Sequence, residues 1–219
     1  MATAPKASGG GYGGESDFEV PPAGTYVGRC IKIIDLGTQD DTYEGTPVKK
    51  RKIQFMWELG STKMTDGRPF IVGREFGFSV WKNANLRKVL HDWIGQQLDD
   101  AQAEAFDFKN LLGKNCMVCM GPNKNGKMRV LAISKRPDGK TPGTIAVPAA
   151  PAVNEQVAFF LTKEEFDPVA FGKLSEHWRT KIMASPEYGA LVGPPPTDGQ
   201  KQETQQQQPP QGSDDDIPF

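Results

Sequence analysis

The feature that most constrains the fold is the order of regular segments between residues 24 and 134. Three stretches rich in β-branched and aromatic residues come first, one amphipathic stretch follows, and two further β-rich stretches come last. Such stretches predict strands, whereas helical spacing of apolar residues predicts a helix. The predicted strands are 24–35, 48–59, 70–81, 115–120 and 127–134, and the predicted helix is 83–94.

The predicted helix has the clearest periodicity in the chain. Its apolar residues recur at helical spacing and form one face, made of Leu86, Val89, Leu90, Trp93 and Ile94. Asn83 suits the start of this helix and Gly95 suits its end. The helix is therefore expected to pack one side against the strands.

Alternation and turn residues define the strands around it. In the second strand one face carries the apolar residues Ile53, Phe55 and Trp57, and the other carries Lys50, Lys52 and Gln54. The polar stretch 38–46 predicts a loop before this strand. Asn125-Gly126 favours a tight hairpin between the last two strands.

Three strands, a helix and two strands is the order of the five-stranded oligonucleotide-binding (OB) barrel. We therefore predict a mainly β fold with some α: an OB-type barrel with its helix between strands 3 and 4, a small C-terminal helical segment, and disordered tails. The predicted organisation is a flexible Gly-rich arm (1–17), the OB domain (18–138), a linker (139–154), the helical segment (155–192), a disordered Pro/Gln linker (193–213) and an acidic tip (214–219).

Charge is distributed unevenly along the chain. Residues 18–140 hold 20 Lys and Arg against 14 Asp and Glu, a net charge of +6, whereas residues 141–219 have a net charge of −6. A basic body predicts an anionic partner, and an acidic end predicts a basic one. The three cysteines are an odd number and too few for a disulfide scaffold, which favours a reducing, cytoplasmic location.

Binding of single-stranded nucleic acid requires cations for the phosphates and exposed rings on which bases stack. The basic run 49–52 opens the second strand, and Trp81 shares its strand face with Gly77 and Ser79. The candidate DNA-binding residues are Tyr26, Tyr43, Lys49, Lys50, Arg51, Lys52, Arg74, Trp81, Lys82, Arg87, Lys124 and Lys127.

The sequence favours no enzyme, cofactor or metal. Residues 121–127 match the spacing of a phosphate-binding loop, but Met128 stands where that loop needs Ser or Thr, and a predicted strand follows instead of a helix. Cys116 and Cys119 have zinc-ligand spacing but no second ligand pair, and in a strand they point to opposite faces. No segment is long and apolar enough to predict a membrane span.

The chain ends with Asp214, Asp215, Asp216, Ile217, Pro218 and Phe219. This end resembles the acidic tip of bacterial single-stranded DNA-binding proteins, and a Gln/Pro/Gly linker precedes it as in that family. The body is similar to phage-encoded single-stranded DNA-binding proteins in the stretches 83–88 and 111–114. The run 49–52 and the helical segment after residue 154 depart from the bacterial pattern.

The resemblance implies a sequence-nonspecific single-stranded DNA-binding protein that acts in replication or recombination in a bacterial cytoplasm. Its tip would recruit host or phage replication proteins, because three aspartates suit a basic rim around an apolar pocket for Ile217 and Phe219. Two alternatives stay open: a decoy that occupies the partners of host proteins without binding DNA, and a strand-annealing recombination mediator. Residues 155–192 suit a homodimer contact, a brace on the barrel or a docking module equally well.

Overall fold

The computed structural model describes residues 19–140 and 144–193. These residues form six strands, five α-helices and one 3₁₀ turn. In chain order they are β1 (Gly24–Tyr43), β2 (Thr46–Lys63), β3 (Pro69–Gly77), α1 (Asn85–Ile94), α2 (Asp100–Glu104), the 3₁₀ turn (Phe108–Leu111), β4 (Asn115–Pro122), β5 (Met128–Lys135), β6 (Val157–Phe159), α3 (Pro168–Gly172), α4 (Glu176–Met183) and α5 (Pro186–Val192).

The strands form one sheet in the order β3-β2-β1-β4-β5, in which all neighbours are antiparallel. The short strand β6 lies off this path and pairs in parallel with residues 32–34 of β1. The described sheet is not closed, and β3 and β5 are its two ends. The structure is therefore mainly β with a few helices.

Strand β1 is long because it pairs with three other strands. Residues 24–29 pair with β4, residues 32–34 pair with β6, and nearly the whole strand pairs with β2. Its pairing with β2 shifts register between Cys30 and Lys32 and again between Asp35 and Gly37. Because such irregularities bend a strand, β1 can pass from one neighbour to the next.

The first core lies on the inner face of this sheet. The apolar face predicted for β2 is confirmed, since Ile53, Phe55 and Trp57 are buried. Helix α1 covers them with the buried side chains of Leu86, Leu90 and Trp93. Burial of each side chain of this size contributes about 1.5–3 kcal/mol to the stability of the fold.

A second core lies between the strands and the C-terminal segment. Ile34 and Leu36 of β1 pack against β6 and against Trp178 and Ile182 of α4. At Gly37 the backbone has φ of 67°, and a Cβ there would lie 2.4 Å from Ser185 Oγ. A glycine is needed at this position because α5 lies directly against the bend of β1.

The C-terminal segment packs on the sheet within the described chain, as a brace would. The homodimer contact and the docking module stay predictions. The predicted linker also lies along β2 in its second half, because the N–H groups of Val153 and Asn154 donate to Glu58 at 3.1 and 2.9 Å. Gln54, which was predicted on the β2 face opposite Ile53, Phe55 and Trp57, is buried as well.

Several predicted boundaries were wrong. Residues 38–46 are not a loop, because β1 and β2 continue to a two-residue turn at Glu44-Gly45, where both residues have positive φ. Strand β3 ends at Gly77 rather than residue 81, where the chain turns and the Ser79 N–H donates to the Gly77 carbonyl. Helix α1 has Ala84, not Asn83, at its N-cap. The Gly95 end and the Asn125-Gly126 hairpin are confirmed.

Candidate nucleic-acid interface

Two cationic regions stand out among the described residues. The first, which we call the ribbon, consists of residues 38–43 of β1 and 46–52 of β2. Strand β3 pairs with β2 only as far as Lys52, so most of the ribbon extends beyond β3 as a two-stranded hairpin. The turn at residues 44 and 45 fixes its register, which places Asp40 opposite Lys49 and Gln39 opposite Lys50.

The lysines of the ribbon are already paired with carboxylates. Lys49 Nζ lies 2.8 Å from Asp40 Oδ1, and both side chains are largely exposed. Asp41 Oδ2 lies 3.8 Å from Lys50 Nζ and 2.7 Å from Lys52 Nζ. The ribbon therefore brings its own anions to the basic run that the sequence predicts to be a phosphate track.

Lys52 is the most enclosed of these lysines, with 14% of its side chain exposed. Glu75 of β3 lies 3.5 Å from its Nζ atom, and Lys181 of α4 lies 2.6 Å from the same carboxylate. Partial burial opposes the charge on Lys52, but the hydrogen bond to Asp41 and the charges of Glu75 and Asp41 outweigh it and raise the Lys52 pKa. Lys52 therefore stabilises the base of the ribbon.

Arg51 points toward the protein interior. Its guanidinium is paired with the fully buried carboxylate of Asp35, and Nε donates to Oδ1 at 3.3 Å. The hydrogen bond to Asp35 raises the Arg51 pKa. A further bond to the Leu161 carbonyl, at 3.2 Å, ties the guanidinium to the C-terminal segment. Arg51 thus joins the ribbon to Asp35 and to the C-terminal segment, and its role as a phosphate ligand stays a prediction.

The second cationic region, which we call the seam, includes residues of β3 and β5, the two end strands of the sheet. Arg74 of β3 donates from Nη1 to the Leu131 carbonyl of β5 at 2.7 Å. Arg129 lies two residues before Leu131, and the hairpin that leads into β5 carries Lys124 and Lys127. We define the seam by its four cations, Arg74, Lys124, Lys127 and Arg129.

The seam cations differ from those of the ribbon because none of them forms an ion pair with a described carboxylate. Burial lowers the Arg74 pKa, and repulsion from Arg129 lowers it further. The Arg74 guanidinium also lies 4.8 Å from the centre of the Phe76 ring. The planar guanidinium of Arg74 therefore packs on the Phe76 ring and belongs to a group of cations that have no described carboxylate partner.

Two exposed aromatic rings occur beside lysines. Trp81, in the turn after β3, is 65% exposed, and Lys82 Nζ lies 5.6 Å from its ring centre. Tyr43, at the tip of the ribbon, is 58% exposed, and Lys50 Nζ lies 5.0 Å from its ring centre. Both rings offer a face on which a nucleobase can stack.

Two predicted site residues are engaged elsewhere. Tyr26 packs partly against the first core and donates its hydroxyl to the Pro22 carbonyl at 2.9 Å. Arg87 is buried; it pairs with Asp100 and donates to the Leu98 carbonyl at 2.7 Å. The prediction that Arg87 is part of the basic groove was therefore wrong. Arg87 lies off the apolar face of α1, but its side chain bonds to the turn before α2.

Sequence reasoning missed Arg129 and the carboxylates that pair with the ribbon. The hairpin turn carried a usable signal, because a turn at residues 44 and 45 makes paired positions sum to 89. That rule places Asp40 opposite Lys49. Arg129 lies two residues after Lys127, and the next residue, Val130, is buried, so alternation along the strand indicates that the Arg129 side chain points outward.

Other features of the described chain do not form a site. A cavity of about 420 Å³ lies between Arg51, Phe78 and Phe160, but Glu104, Asp107 and Glu165 also line it, which disfavours a phosphate. Burial raises the pKa of the Cys30 and Cys116 thiols, so both stay protonated near neutral pH. In residues 19–140 and 144–193 no three His, Cys, Asp or Glu side chains are grouped to hold a metal ion.

The acidic tip predicted to bind partners, Asp214–Phe219, lies outside the described residues, as does the arm 1–17. No helix in the described part of the chain has the length and apolarity needed to cross a membrane. Comparison of the chain with protein-family models, curated proteins and solved structures finds no match.

Proposed function

We propose that this chain is a non-enzymatic protein that binds single-stranded DNA without sequence preference, and that its sheet is an OB-type barrel. The strand order β3-β2-β1-β4-β5 supports the barrel, because in that topology β3 and β5 run in the same direction and close the sheet. The bond between Arg74 and the Leu131 carbonyl links these two strands. Helix α1 packs against both of them, as expected of a helix that plugs a barrel.

The observation that carries the proposal is the uncompensated charge of the seam. Four cations with no described carboxylate partner provide a track for phosphates, and such a track provides affinity without reading sequence. Arg74 adds a planar surface, and Trp81 adds an exposed ring, for stacking of unpaired bases. A duplex hides its base faces, so these surfaces favour a single strand.

Equilibrium binding of fluorescent oligo-dT, with duplex DNA of equal length for comparison, tests this function. The intact chain is expected to bind the single strand more tightly, and a mixed-sequence oligonucleotide equally well. A decoy protein would bind neither DNA. A recombination mediator would additionally accelerate the pairing of complementary strands, which an annealing assay detects.

The acidic tip is proposed to recruit replication or recombination proteins. Ile217 and Phe219 would enter an apolar pocket on the partner while the three aspartates meet its basic rim. Phe219→Ala in the full-length chain is expected to abolish capture of bacterial replication proteins and to leave oligo-dT binding unchanged. Capture that survives this substitution would contradict the role of the tip.

A further inference from the structure

The ribbon carries lysines that the proposed function has not used, and their pairing has a consequence for DNA binding. We propose that Asp40 and Asp41 are built-in counter-ions that compete with DNA phosphates for Lys49 and Lys50, so that the ribbon binds a strand only by exchanging carboxylate for phosphate. This inference rests on the proposed function and adds a regulation to it.

The geometry makes each carboxylate a substitute for a phosphate. Asp40 Oδ1 accepts from Lys49 Nζ at 2.8 Å, which is the contact that a phosphate oxygen would make. Asp41 lies on the strand facing Lys50 and Lys52 and interacts with both. The hydrogen bonds from Lys52 and from the Thr42 N–H hold the Asp41 pKa below its ordinary value, so this carboxylate stays charged throughout the neutral range.

The exchange is confined to the outer part of the ribbon. Lys49 and Asp40 are 72% and 88% exposed, and an ion pair in that setting is weak, so it separates easily. Lys52 is held between Asp41 and Glu75 and is mostly enclosed. Lys49 and Lys50 are therefore the lysines that become available, and the Tyr43 ring beside Lys50 is the surface they would bring to a base.

Exchange also changes the dependence of binding on salt. An unpaired lysine that meets a phosphate displaces a condensed counter-ion, and each such contact steepens the slope of log K against log salt by about 0.7 on a single strand. A lysine taken from an aspartate leaves a carboxylate that attracts a cation from solution. The ribbon of the native protein is therefore expected to add little to the slope.

The test is Asp40→Asn combined with Asp41→Asn, which keeps side-chain shape and the acceptor for the Thr42 N–H. Oligo-dT affinity at low salt is expected to rise on the order of tenfold, and the slope to steepen by about 1.4 for two released lysines. Asp40→Asn alone should give about half of that change in slope. Thermal melting of each variant verifies that the fold is kept.

The matched control is Glu164→Gln combined with Glu176→Gln, two exposed carboxylates outside the ribbon and the seam, with the same change in net charge. If this control matches the ribbon variant in affinity and slope, bulk charge explains the effect and the inference is overturned. Elution from heparin separates this inference from the proposed function. If no variant binds oligo-dT, the proposed function fails, and later elution of the ribbon variant than of the control still supports the exchange, whereas equal elution overturns it.

Discussion

The ribbon and the seam each carry four cations, yet they present them in opposite ways. On the ribbon every cation has a carboxylate partner, from Lys49 at the exposed end to Arg51 at the buried base. On the seam no described carboxylate pairs with any of the four. A dense basic run in a sequence is therefore a poor measure of available charge, because strand pairing can bring anions to it. Cations on β3, β5 and the hairpin between β4 and β5 can still lack any described carboxylate partner.

The largest expected effect concerns the buried end of the ribbon. Asp35→Ala leaves the Arg51 guanidinium without its partner, and breaking a buried pair in this way costs about 3–5 kcal/mol. Asp40→Ala, which breaks the exposed pair with Lys49, should cost at most about 1 kcal/mol. Urea denaturation measures both free energies of unfolding. Equal losses would mean that the two ends of the ribbon do not differ in the way their burial implies.

The next effect concerns DNA affinity at the seam. Arg74→Gln combined with Arg129→Gln is expected to weaken oligo-dT binding by about 100-fold, because each charged hydrogen bond contributes roughly 1.5–3 kcal/mol. Lys88→Gln combined with Lys163→Gln removes the same charge from exposed positions outside both regions and serves as the control. Fluorescence anisotropy measures both. A comparable loss in the control would reduce the seam to a contribution to net charge.

Removing the ribbon pairs sharpens the same comparison. A variant with Asp40→Asn, Asp41→Asn, Lys49→Gln and Lys50→Gln keeps the net charge of the protein and deletes the outer part of the ribbon's ion pairs. Because the paired lysines add little affinity, this variant should bind oligo-dT within about threefold of the native chain. A loss as large as that of the seam variant would show that the ribbon binds phosphates despite its carboxylates.

Trp81→Ala tests the stacking contribution beside these charges. Loss of one base–ring stack is expected to weaken oligo-dT binding by about tenfold, since such a stack contributes about 1–3 kcal/mol. Trp81→Phe keeps a flat ring and should recover most of the affinity. If the alanine variant binds normally while the protein still binds oligo-dT, the strand does not pass over this ring.

A smaller effect concerns the helix that braces the ribbon. Partial burial alone would raise the Glu187 pKa, but hydrogen bonds from the Thr38 N–H and hydroxyl outweigh it and hold the pKa below its ordinary value of 4.5. A carboxyl whose pKa falls on folding stabilises the folded state at pH values above its ordinary pKa. This contribution is lost as the pH decreases below that pKa. In the Glu187→Gln variant the free energy of unfolding should therefore fall less steeply as pH decreases below about 4.5. The difference from the native chain should be less than about 1 kcal/mol.

Local patterns predicted much of the architecture, and long-range pairing explains what they missed. The order of strands and helix along the chain, helix α1 itself and the inward face of β2 followed from periodicity, which depends on neighbouring residues alone. Strand β6 has three residues and forms only because β1 is bent to receive it. Residues 38–46 are predicted to be a loop because Asp40 and Asp41 are poor strand formers, and the lysines on the facing strand favour an extended backbone there.

For the candidate site, the sequence indicated which cations and rings are available, but it did not indicate which carboxylates pair with them. The exposed rings of Trp81 and Tyr43 and the cations of the β4–β5 hairpin were identified from sequence. The engagement of Arg51 and Arg87 was not, because both depend on carboxylates brought close by folding. Asp35 lies 16 residues from Arg51, and Asp100 lies 13 residues from Arg87.

The salt dependence of oligo-dT binding tests the central claim most directly. With four seam cations we expect log K to fall with log salt at a slope of about −3 for the native chain, at about 0.7 per neutralised phosphate. The Arg74→Gln/Arg129→Gln variant should be shallower by about 1.4, and the variant without the outer ribbon pairs should keep the native slope. A slope that survives loss of the two arginines but falls with loss of the ribbon pairs, or an absence of binding in dilute buffer, would contradict it.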